Sequence, residues 1–280
     1  GISKLSNELF NKSVGKIVFI LCFLNPIFFG HMAMNPKDPM IAFAHIWTAY
    51  ILIRYLKNQS NQEKCFRYIF LAGLTIGFGT GVRMVFPVTV IPIFLFAILD
   101  IFFFKKKINN NFSFNKFVIH IFCVLIIAYL LAITCWAHVH ENIFFEPFRL
   151  FLDHIKSNSF GVPWILFNGN FYDTLQLPNS YILLNFFYKS PEFILFTYIV
   201  FLFLLITNRN FFLSNFNYFW NGIIFILFIL LFPIAYFIFL PYRVYDGLRL
   251  FLNMVPYFNI IPALVVYFCI KNFSYLKIKF

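Results

Sequence analysis

Long apolar runs separated by short polar segments are the feature that most limits how this chain can fold. Of its 280 residues, 61% are hydrophobic and only 11% are charged, which is more apolar surface than a soluble core takes up. A run of ~20 apolar residues can cross a bilayer as a helix, because a helix satisfies its own backbone hydrogen bonds there. The alternation typical of barrel strands is absent. The sequence therefore predicts an all-α, polytopic transmembrane helix bundle.

The apolar runs predict about eight spans within a single transmembrane domain, residues 1–280. A long external connection, residues 138–190, lies between the fifth and sixth spans. The third and fourth spans are joined through "GFGTGVRMVFP", so one broken element is an alternative. The chain begins with Gly1 and shows no signal-peptide pattern, from which we expect the N-terminal helices of the complete protein to be missing. The predicted spans are residues 14–30, 40–56, 68–82, 85–104, 117–137, 191–207, 222–240 and 254–270.

The basic residues predict an orientation. If the segment with Lys4, Lys12 and Lys16 is cytoplasmic, then alternate connections place most of the other lysines and arginines on the same side, as the positive-inside rule requires. Those connections read "RYLKNQSNQEKCFR", "KKKINNNFSFNK", "TNRN" and "KNFSYLKIK". The net charge of +12 is thus assigned to topology, and nucleic acid is not an expected partner. Most carboxylates and histidines fall outside, which favours external chemistry, although external loops can simply be polar.

The first part of the external connection predicts an amphipathic helix over residues 143–155. Its apolar positions can share one face, and the charged positions then face water. A helix of this kind is typical of the membrane interface, where it can form one side of a binding site for a lipid-borne substrate or have a purely structural role. The apolar positions are Phe144, Phe148, Phe151, Leu152 and Ile155; the charged ones are Glu146, Arg149, Asp153 and Lys156.

A cluster of polar residues interrupts the apolar pattern at the external end of the first run. The stretch "FFGHMAMNPKDPM" contains His31, Asn35, Lys37 and Asp38, and its two prolines prevent either neighbouring helix from continuing through it. Asp38 comes just before the next predicted helix, where exposed N–H groups favour a carboxylate. A helix cap explains Asp38 but leaves the other three residues unexplained.

Several motifs resemble a bacterial branch of the C-type membrane glycosyltransferases, which are relatives of the protein O-mannosyltransferases and the aminoarabinose transferases. "NPIFFGHMAMNPKDPMIAF" resembles that branch's FFGH-x-x-x-NPKD signature, and "YRVYDGLRLFLNMVPYF" resembles its YDG-x-RH element. Looser matches are "GTGVRMVFP" and "LPNSYILLNFFYKSPEF". The matches occur in family order over nearly the whole chain.

The resemblance implies transfer of a sugar from a polyprenyl-phosphate carrier to the hydroxyl of an acceptor glycan, lipid or protein. The reaction would occur at the external face of a bacterial inner membrane. It needs a carboxylate for the acceptor's proton and cations for the leaving phosphate. Asp38 matches the second conserved aspartate of the superfamily, which implies a catalytic role in orienting the acceptor or assisting the base. The candidate substrate-binding residues are His31, Asn35, Lys37, Arg83, Arg243, Tyr245, Asp246 and Arg249.

Simpler roles stay open for several of these residues. Arg243 and Arg249 can hold a phosphate bidentately, or they can anchor the chain at the membrane interface. Lys37 can contact the same phosphate, or it can be a solvated loop lysine. Arg83 fits either a lipid phosphate contact or snorkelling.

The chain departs from the family pattern in two places. Leu250 stands where the family has histidine after the arginine of the late motif. The family's acidic motif in its first external loop has no counterpart before Lys4, so we expect the catalytic base to lie outside this sequence.

A divalent metal is a further possibility, since some related transferases hold one near the external loop. The stretch "HVHE", residues 138–141, could supply ligands only if it is extended, because residues i and i+2 point apart on a helix.

Two other functions remain as alternatives at this point. A transporter or lipid flippase would show ionisable residues near the bilayer midplane and an internal repeat, and neither is evident. A non-catalytic glycosyltransferase-like protein would fit Leu250 and the missing loop.

Overall fold

The computed structural model describes residues 1–103, 111–156, 162–240 and 243–273. Helices dominate this part of the chain, which confirms the predicted all-α class. The chain divides into two compact units, one formed by Gly1–Pro39 with Val162–Phe280 and the other by Met40–Gly161. The predicted end of the fourth span at residue 104 lies outside the described residues.

The first unit opens with three helices, α1 (Ile2–Leu9), α2 (Lys12–Phe23) and α3 (Pro26–Met34). α2 and α3 meet at 55°, so the predicted first span is bent and not one straight helix. Asn25 causes the break, because its side chain accepts hydrogen bonds from the N–H groups of Ile27 and Phe28 at 3.0 and 3.3 Å. Pro26 at the first position of α3 is suited to a new helix start. α1 was not among the predicted spans.

The second unit contains the next four helices. α4 (Lys37–Asn58) begins in the last residues of the first unit and is followed by α5 (Gln62–Val82), α6 (Phe86–Phe102) and α7 (Phe114–Cys135). α5 and α6 are separate helices, which decides against one broken element. α6 has 17 residues and Pro92 inside it, and it is shorter than the other predicted spans of this unit.

Two glycines allow α5 and α7 to pack closely. A Cβ atom on Gly73 would lie 2.6 Å from Ile127, and one on Gly77 would lie 2.8 Å from the carbonyl oxygen of Ala128. Small residues four apart on a membrane helix permit such backbone contact, and packing replaces the hydrophobic effect as the source of association in lipid.

The external connection begins with a 3-10 helix, Ala137–Glu141, and continues with α8 (Glu146–Lys156). α8 confirms the predicted amphipathic helix, although it starts at Glu146 and not at residue 143. Phe148 and Leu152 are exposed on its apolar side. On its polar side Arg149 pairs with Glu146 at 3.3 Å and with Asp153 at 3.9 Å. The predicted contributions of the Ile155 and Lys156 side chains lie outside the described parts of the structure.

A short hairpin then joins β1 (Trp164–Phe167) to β2 (Asn170–Asp173) in antiparallel register. Its turn consists of Asn168 and Gly169, both with positive φ, at 50° and 80°. An Asn-Gly pair is the usual sequence of a type I′ hairpin turn, so the signal was present in the sequence, but we did not predict these strands.

The rest of the first unit is helical. α9 (Tyr181–Lys189) and α10 (Glu192–Thr207) are followed by α11 (Arg209–Asn215) and α12 (Phe219–Phe239). A 3-10 helix, Arg249–Met254, leads into α13 (Val255–Phe258) and α14 (Ile260–Asn272). α9 and α10 meet at 109°. α14 packs against both α2 and α10.

Five helical stretches in the described residues are long and apolar enough to cross a bilayer. They are α4, α5, α7, α12 and the continuous stretch Arg249–Asn272; the bent pairs α2–α3 and α9–α10 raise the number to seven if each is one span. The chain is thus an integral, multi-pass membrane protein. Of the eight predicted spans, the α6 span is the one that remains a shorter apolar helix.

The glycine contacts between α5 and α7 can be tested by adding a side chain. We expect Gly77→Leu to destabilise the protein by roughly 1–3 kcal/mol, because the new side chain would overlap backbone atoms of α7. The unfolding temperature in detergent measures this effect. Gly30→Leu is the matched control, since a Cβ atom there would meet nothing within 4 Å. Equal unfolding temperatures for the two variants would contradict the packing argument.

Candidate functional site

A buried ion pair joins two distant parts of the first unit. The Nε atom of Arg249 donates to Oδ2 of Asp38 at 2.9 Å, although the two residues are 211 positions apart in the sequence. The Asp38 side chain is only 1% exposed, whereas that of Arg249 is 25% exposed. Burying an ionised carboxylate is costly unless a partner compensates it. The pair therefore fixes the start of α4 against the 3-10 helix that begins at Arg249.

A second carboxylate holds the same guanidinium. Nη1 of Arg249 donates to Oδ2 of Asp246 at 2.6 Å, and the Asp246 side chain is about half exposed. The guanidinium carbon also lies 5.7 Å from the centre of the Tyr245 ring, within the range of a cation–π interaction. We call Asp38, Tyr245, Asp246 and Arg249 the Arg249 cluster. These four residues were all predicted, but their contacts with one another were not.

The cluster depends on a tight turn at Asp246 and Gly247. Both residues have positive φ, 57° and 64°, which glycine adopts freely and aspartate tolerates. The N–H of Gly247 donates to the hydroxyl of Tyr181 at 3.0 Å, which ties the turn to α9. A Cβ atom on Gly247 would lie 2.1 Å from Nζ of Lys189 and 2.8 Å from Oδ1 of Asn185. The positive φ favours glycine here, and a side chain would also displace the flexible end of Lys189.

His31 belongs to the same region. The charges of Lys189, Asp38, Arg249 and Asp246 all act on its imidazole. Its Nδ1 atom is buried, and it has no hydrogen-bond partner within the part of the chain that the structure describes. An unsatisfied polar atom surrounded by charged groups is typical of a site that receives a ligand.

The remaining predicted residues lie apart from the cluster or have local roles. Asn35 ends α3, and its side chain accepts a hydrogen bond from the N–H of Lys37 at 3.0 Å. The Lys37 side chain is exposed. Nε of Arg243 is buried and makes no hydrogen bond to the described residues. Arg83 is in the second unit, where it ends α5 and its N–H bonds the Gly79 carbonyl at 2.9 Å.

Asp38 lies in the first turn of α4, because the helix begins at Lys37. The helix dipole favours a carboxylate at that position. Asp38 can therefore stabilise the N-terminal end of α4 and belong to the Arg249 cluster at the same time.

The predicted metal ligands do not form a binding set. Residues 137–141 form a 3-10 helix, and Nε2 of His140 is already 2.9 Å from the carbonyl oxygen of Ile133. Among the described residues no three His, Cys, Asp or Glu side chains gather in a way that could hold a metal ion. The side chain of His138 is not described. No chemical step is therefore assigned to a metal here.

Residues 1–136 match the family of dolichyl-phosphate-mannose-protein mannosyltransferases. The match covers just under half of the chain, and the matched family is of the C-type membrane glycosyltransferase kind. The match includes His31 and Asp38, while Asp246 and Arg249 come later in the chain. No curated protein and no solved structure matches the sequence. The predicted enzyme class, a membrane glycosyltransferase, is confirmed at this level.

Sequence reasoning missed three residues around the Arg249 cluster. Tyr181, Asn185 and Lys189 all come from α9, within the stretch "LPNSYILLNFFYKSPEF". That stretch resembles a family element, but no individual residue in it was singled out. No pattern along the chain indicated that α9 would meet the Asp246–Gly247 turn, more than 50 residues later.

The cluster predicts an asymmetry in stability between its two carboxylates. Arg249→Gln should destabilise the protein by about 1–3 kcal/mol, because it removes the hydrogen-bonded partner of a buried carboxylate. The double variant Asp38→Asn with Arg249→Gln should recover part of that loss, since neither charge remains. Asp246→Asn should cost less than about 1 kcal/mol, because this pair is more exposed. Unfolding temperatures in detergent test this order, and equal losses for Arg249→Gln and Asp246→Asn would contradict it.

Proposed function

We propose that this protein transfers a sugar from a polyprenyl-phosphate-linked donor to an acceptor hydroxyl at the external face of a bacterial inner membrane. The observation that carries the proposal is the Arg249 guanidinium held between Asp38 and Asp246 at helix ends. The family match over residues 1–136 supports the reaction class. The acceptor would be a glycan, a lipid or a protein that presents a hydroxyl group.

The charges at the two ends of the helices support the external location. Asp38 lies in the first turn of α4 and Lys57 in its last turn. Arg249 begins the final helical stretch, and Lys271 lies in the last turn of α14. α4 also has Lys37 at the same end as Asp38. If the ends that carry Lys57 and Lys271 are nevertheless cytoplasmic, in line with the basic connections of the sequence, the Arg249 cluster faces outward.

The chemistry requires a displacement at the anomeric carbon. The acceptor oxygen forms a bond to that carbon, and the bond from the carbon to the donor phosphate oxygen breaks. The electron pair of the broken bond remains on polyprenyl phosphate, and the acceptor proton passes to a carboxylate base. Attack from the face opposite the phosphate inverts the configuration, as in inverting glycosidases. Negative charge develops on the phosphate, so a fixed cation beside it lowers the barrier.

Arg249 has the geometry for that task. Asp38 and Asp246 occupy one N–H each on Nε and Nη1, which leaves N–H groups on Nη2 for phosphate oxygens. A guanidinium whose orientation is already fixed loses little entropy when it binds an anion. We assign Asp38 the role of a positioning residue that holds Arg249, because its side chain is almost fully buried. The predicted role of Asp38 in orienting the acceptor is a second possibility that kinetics can separate.

Arg249→Lys tests the phosphate assignment in the full-length protein. Lysine keeps the charge but loses the planar fork, so the KM for a polyprenyl-phosphate sugar should rise about tenfold or more. Sugar transfer at varied donor concentration measures it. Arg209→Lys is the control, because Arg209 starts α11 and packs near Trp220, among the segments assigned to the cytoplasmic side. An unchanged donor KM in Arg249→Lys would show that the phosphate assignment is wrong.

Asp38→Asn tests the positioning role. The amide cannot balance the guanidinium charge, so kcat/KM for the donor should fall about ten- to a hundredfold while the KM for the acceptor stays constant. A rise in acceptor KM alone would instead support acceptor orientation. Near-normal turnover by a correctly inserted Asp38→Asn variant would exclude either role.

Assays of sugar transfer and of donor binding also distinguish the proposed function from the two alternatives, a flippase and a non-catalytic protein. A flippase would move the lipid-linked sugar across vesicles without transferring it. A non-catalytic protein would bind the donor lipid and leave it unchanged.

A further inference from the structure

The charge balance of the Arg249 cluster shows that a second cation is needed for a phosphate. One guanidinium faces two carboxylates, Asp38 at 2.9 Å and Asp246 at 2.6 Å. These two negative charges more than balance the arginine, so the three groups by themselves do not attract a dianionic or monoanionic ligand. A donor phosphate that approaches this cluster has to be met by another positive group.

Lys189 is placed to be that group. It is the last residue of α9, and its Nζ would be 2.1 Å from a Cβ atom on Gly247. The ammonium therefore lies directly over the turn that carries Asp246. Its charge also acts on the imidazole of His31, together with those of Asp38, Asp246 and Arg249.

The ammonium of Lys189 is not engaged in the structure itself. It makes no hydrogen bond and no ion pair with any described residue, and the side chain is exposed. Arg249, in contrast, is bonded to two carboxylates. Compared with Arg249, Lys189 has the charge that is more available to a ligand.

The position of Lys189 is built by buried contacts. Tyr181 is 2% exposed and accepts from the N–H of Gly247 at 3.0 Å. Asn185 is 6% exposed and donates to the carbonyl oxygen of Tyr181 at 2.9 Å. The bond from Gly247 to Tyr181 holds α9 against the turn, the Asn185 bond lies within α9, and the missing side chain of Gly247 leaves the space that the ammonium occupies.

Two polar atoms nearby have no partner in the described part of the chain. One is Nδ1 of His31, and the other is the buried hydroxyl of Ser190, the residue that follows Lys189. Buried polar atoms are rarely left unsatisfied unless a ligand or water completes them. This observation is independent of the lysine, and both residues belong to the segments that carry the site.

The bend between α9 and α10 gives the site access to lipid. The helices meet at 109° around Ser190 and Pro191, so if α10 crosses the bilayer, α9 lies close to the plane of the interface at its outer end. α9 also exposes Leu183, Phe187 and Tyr188, as expected of a helix in contact with lipid. Lys189 then lies at the depth of lipid phosphates, beside the polar cluster.

We propose that Lys189 binds the phosphate of the lipid-linked donor and brings it to Arg249. The proposal rests on the proposed function, because it assigns a further substrate-binding residue for the same transfer. Lys189 contributes the attraction for the anion, and Arg249, already oriented, contributes the fixed hydrogen bonds during bond cleavage.

The test compares Lys189→Met, Lys189→Gln and Lys189→Arg with Lys16→Gln in the full-length protein. Methionine keeps most of the length of the side chain and removes the charge, while Lys16 is an exposed lysine of α2 that lies outside the site. The readouts are the donor KM and kcat, the binding of polyprenyl phosphate in nanodiscs, and the unfolding temperature without ligand.

The neutral variants should raise the donor KM and weaken polyprenyl-phosphate binding at least about tenfold, the usual value of one lost charge-assisted contact. Their kcat and unfolding temperature should stay close to those of the unmodified protein. Lys189→Arg should retain most of the affinity, and Lys16→Gln should change nothing. If Lys189→Gln folds poorly, the comparison of Lys189→Met with Lys189→Arg decides the same question.

Several outcomes would overturn the inference. If the unmodified protein transfers sugar and the neutral variants keep its donor KM, Lys189 does not bind the donor, while the proposed function stands. If inorganic phosphate or phosphatidylglycerol binds as well as polyprenyl phosphate and depends equally on Lys189, the lysine is a general phosphate contact. If the unmodified protein neither transfers sugar nor binds polyprenyl phosphate, the proposed function itself fails.

Discussion

A carboxylate that is buried in a membrane protein needs a cation, and the bond from Asp38 to Arg249 meets this requirement. It connects the start of α4 to the start of the last helical stretch, over a separation of 211 residues. The geometry of the candidate site depends on this bond. Once Arg249 is fixed, Asp246 can reach its other nitrogen only through the left-handed turn that it forms with Gly247. α9 packs against the same turn, where the hydroxyl of Tyr181 accepts a hydrogen bond from the N–H of Gly247.

The two bent helix pairs of the first unit bring further groups to the same region. α3 follows a 55° bend and carries His31, and α9 precedes a 109° bend and ends with Lys189. Breaks in apolar helices expose backbone groups that lipid cannot satisfy. At the first break the side chain of Asn25 satisfies two N–H groups of α3. At the second, Pro191 has no N–H to satisfy. The breaks thus have local causes, and both serve to place polar side chains beside the Arg249 cluster.

In the Arg249 cluster one arginine is held rigidly, and its positive charge faces two carboxylates. Two carboxylates hold Arg249 in one orientation, which favours a reaction in which charge develops at a fixed position. Because the two carboxylates offset the positive charge of Arg249, they also weaken the attraction of Arg249 for an anion. In our proposal Lys189, which has no hydrogen-bond or ion-pair partner among the described residues, complements this arrangement, because an ammonium on a long side chain can follow a mobile lipid phosphate.

The sequence by itself determined the membrane architecture, and it predicted an orientation and most of the polar residues of the candidate site. Span length and the distribution of lysines are local properties, and lipid acts on them directly. The motif residues Asp38, Asp246 and Arg249 could be recognised from their neighbours, and the hairpin turn at Asn168 could have been. Only the tertiary structure decided that Arg249 bonds both carboxylates, that Lys189 lies over Gly247, and that Asn35 serves as a local cap. These facts depend on which helix ends meet, and side-chain contacts between residues far apart in the chain leave no periodic pattern in the sequence.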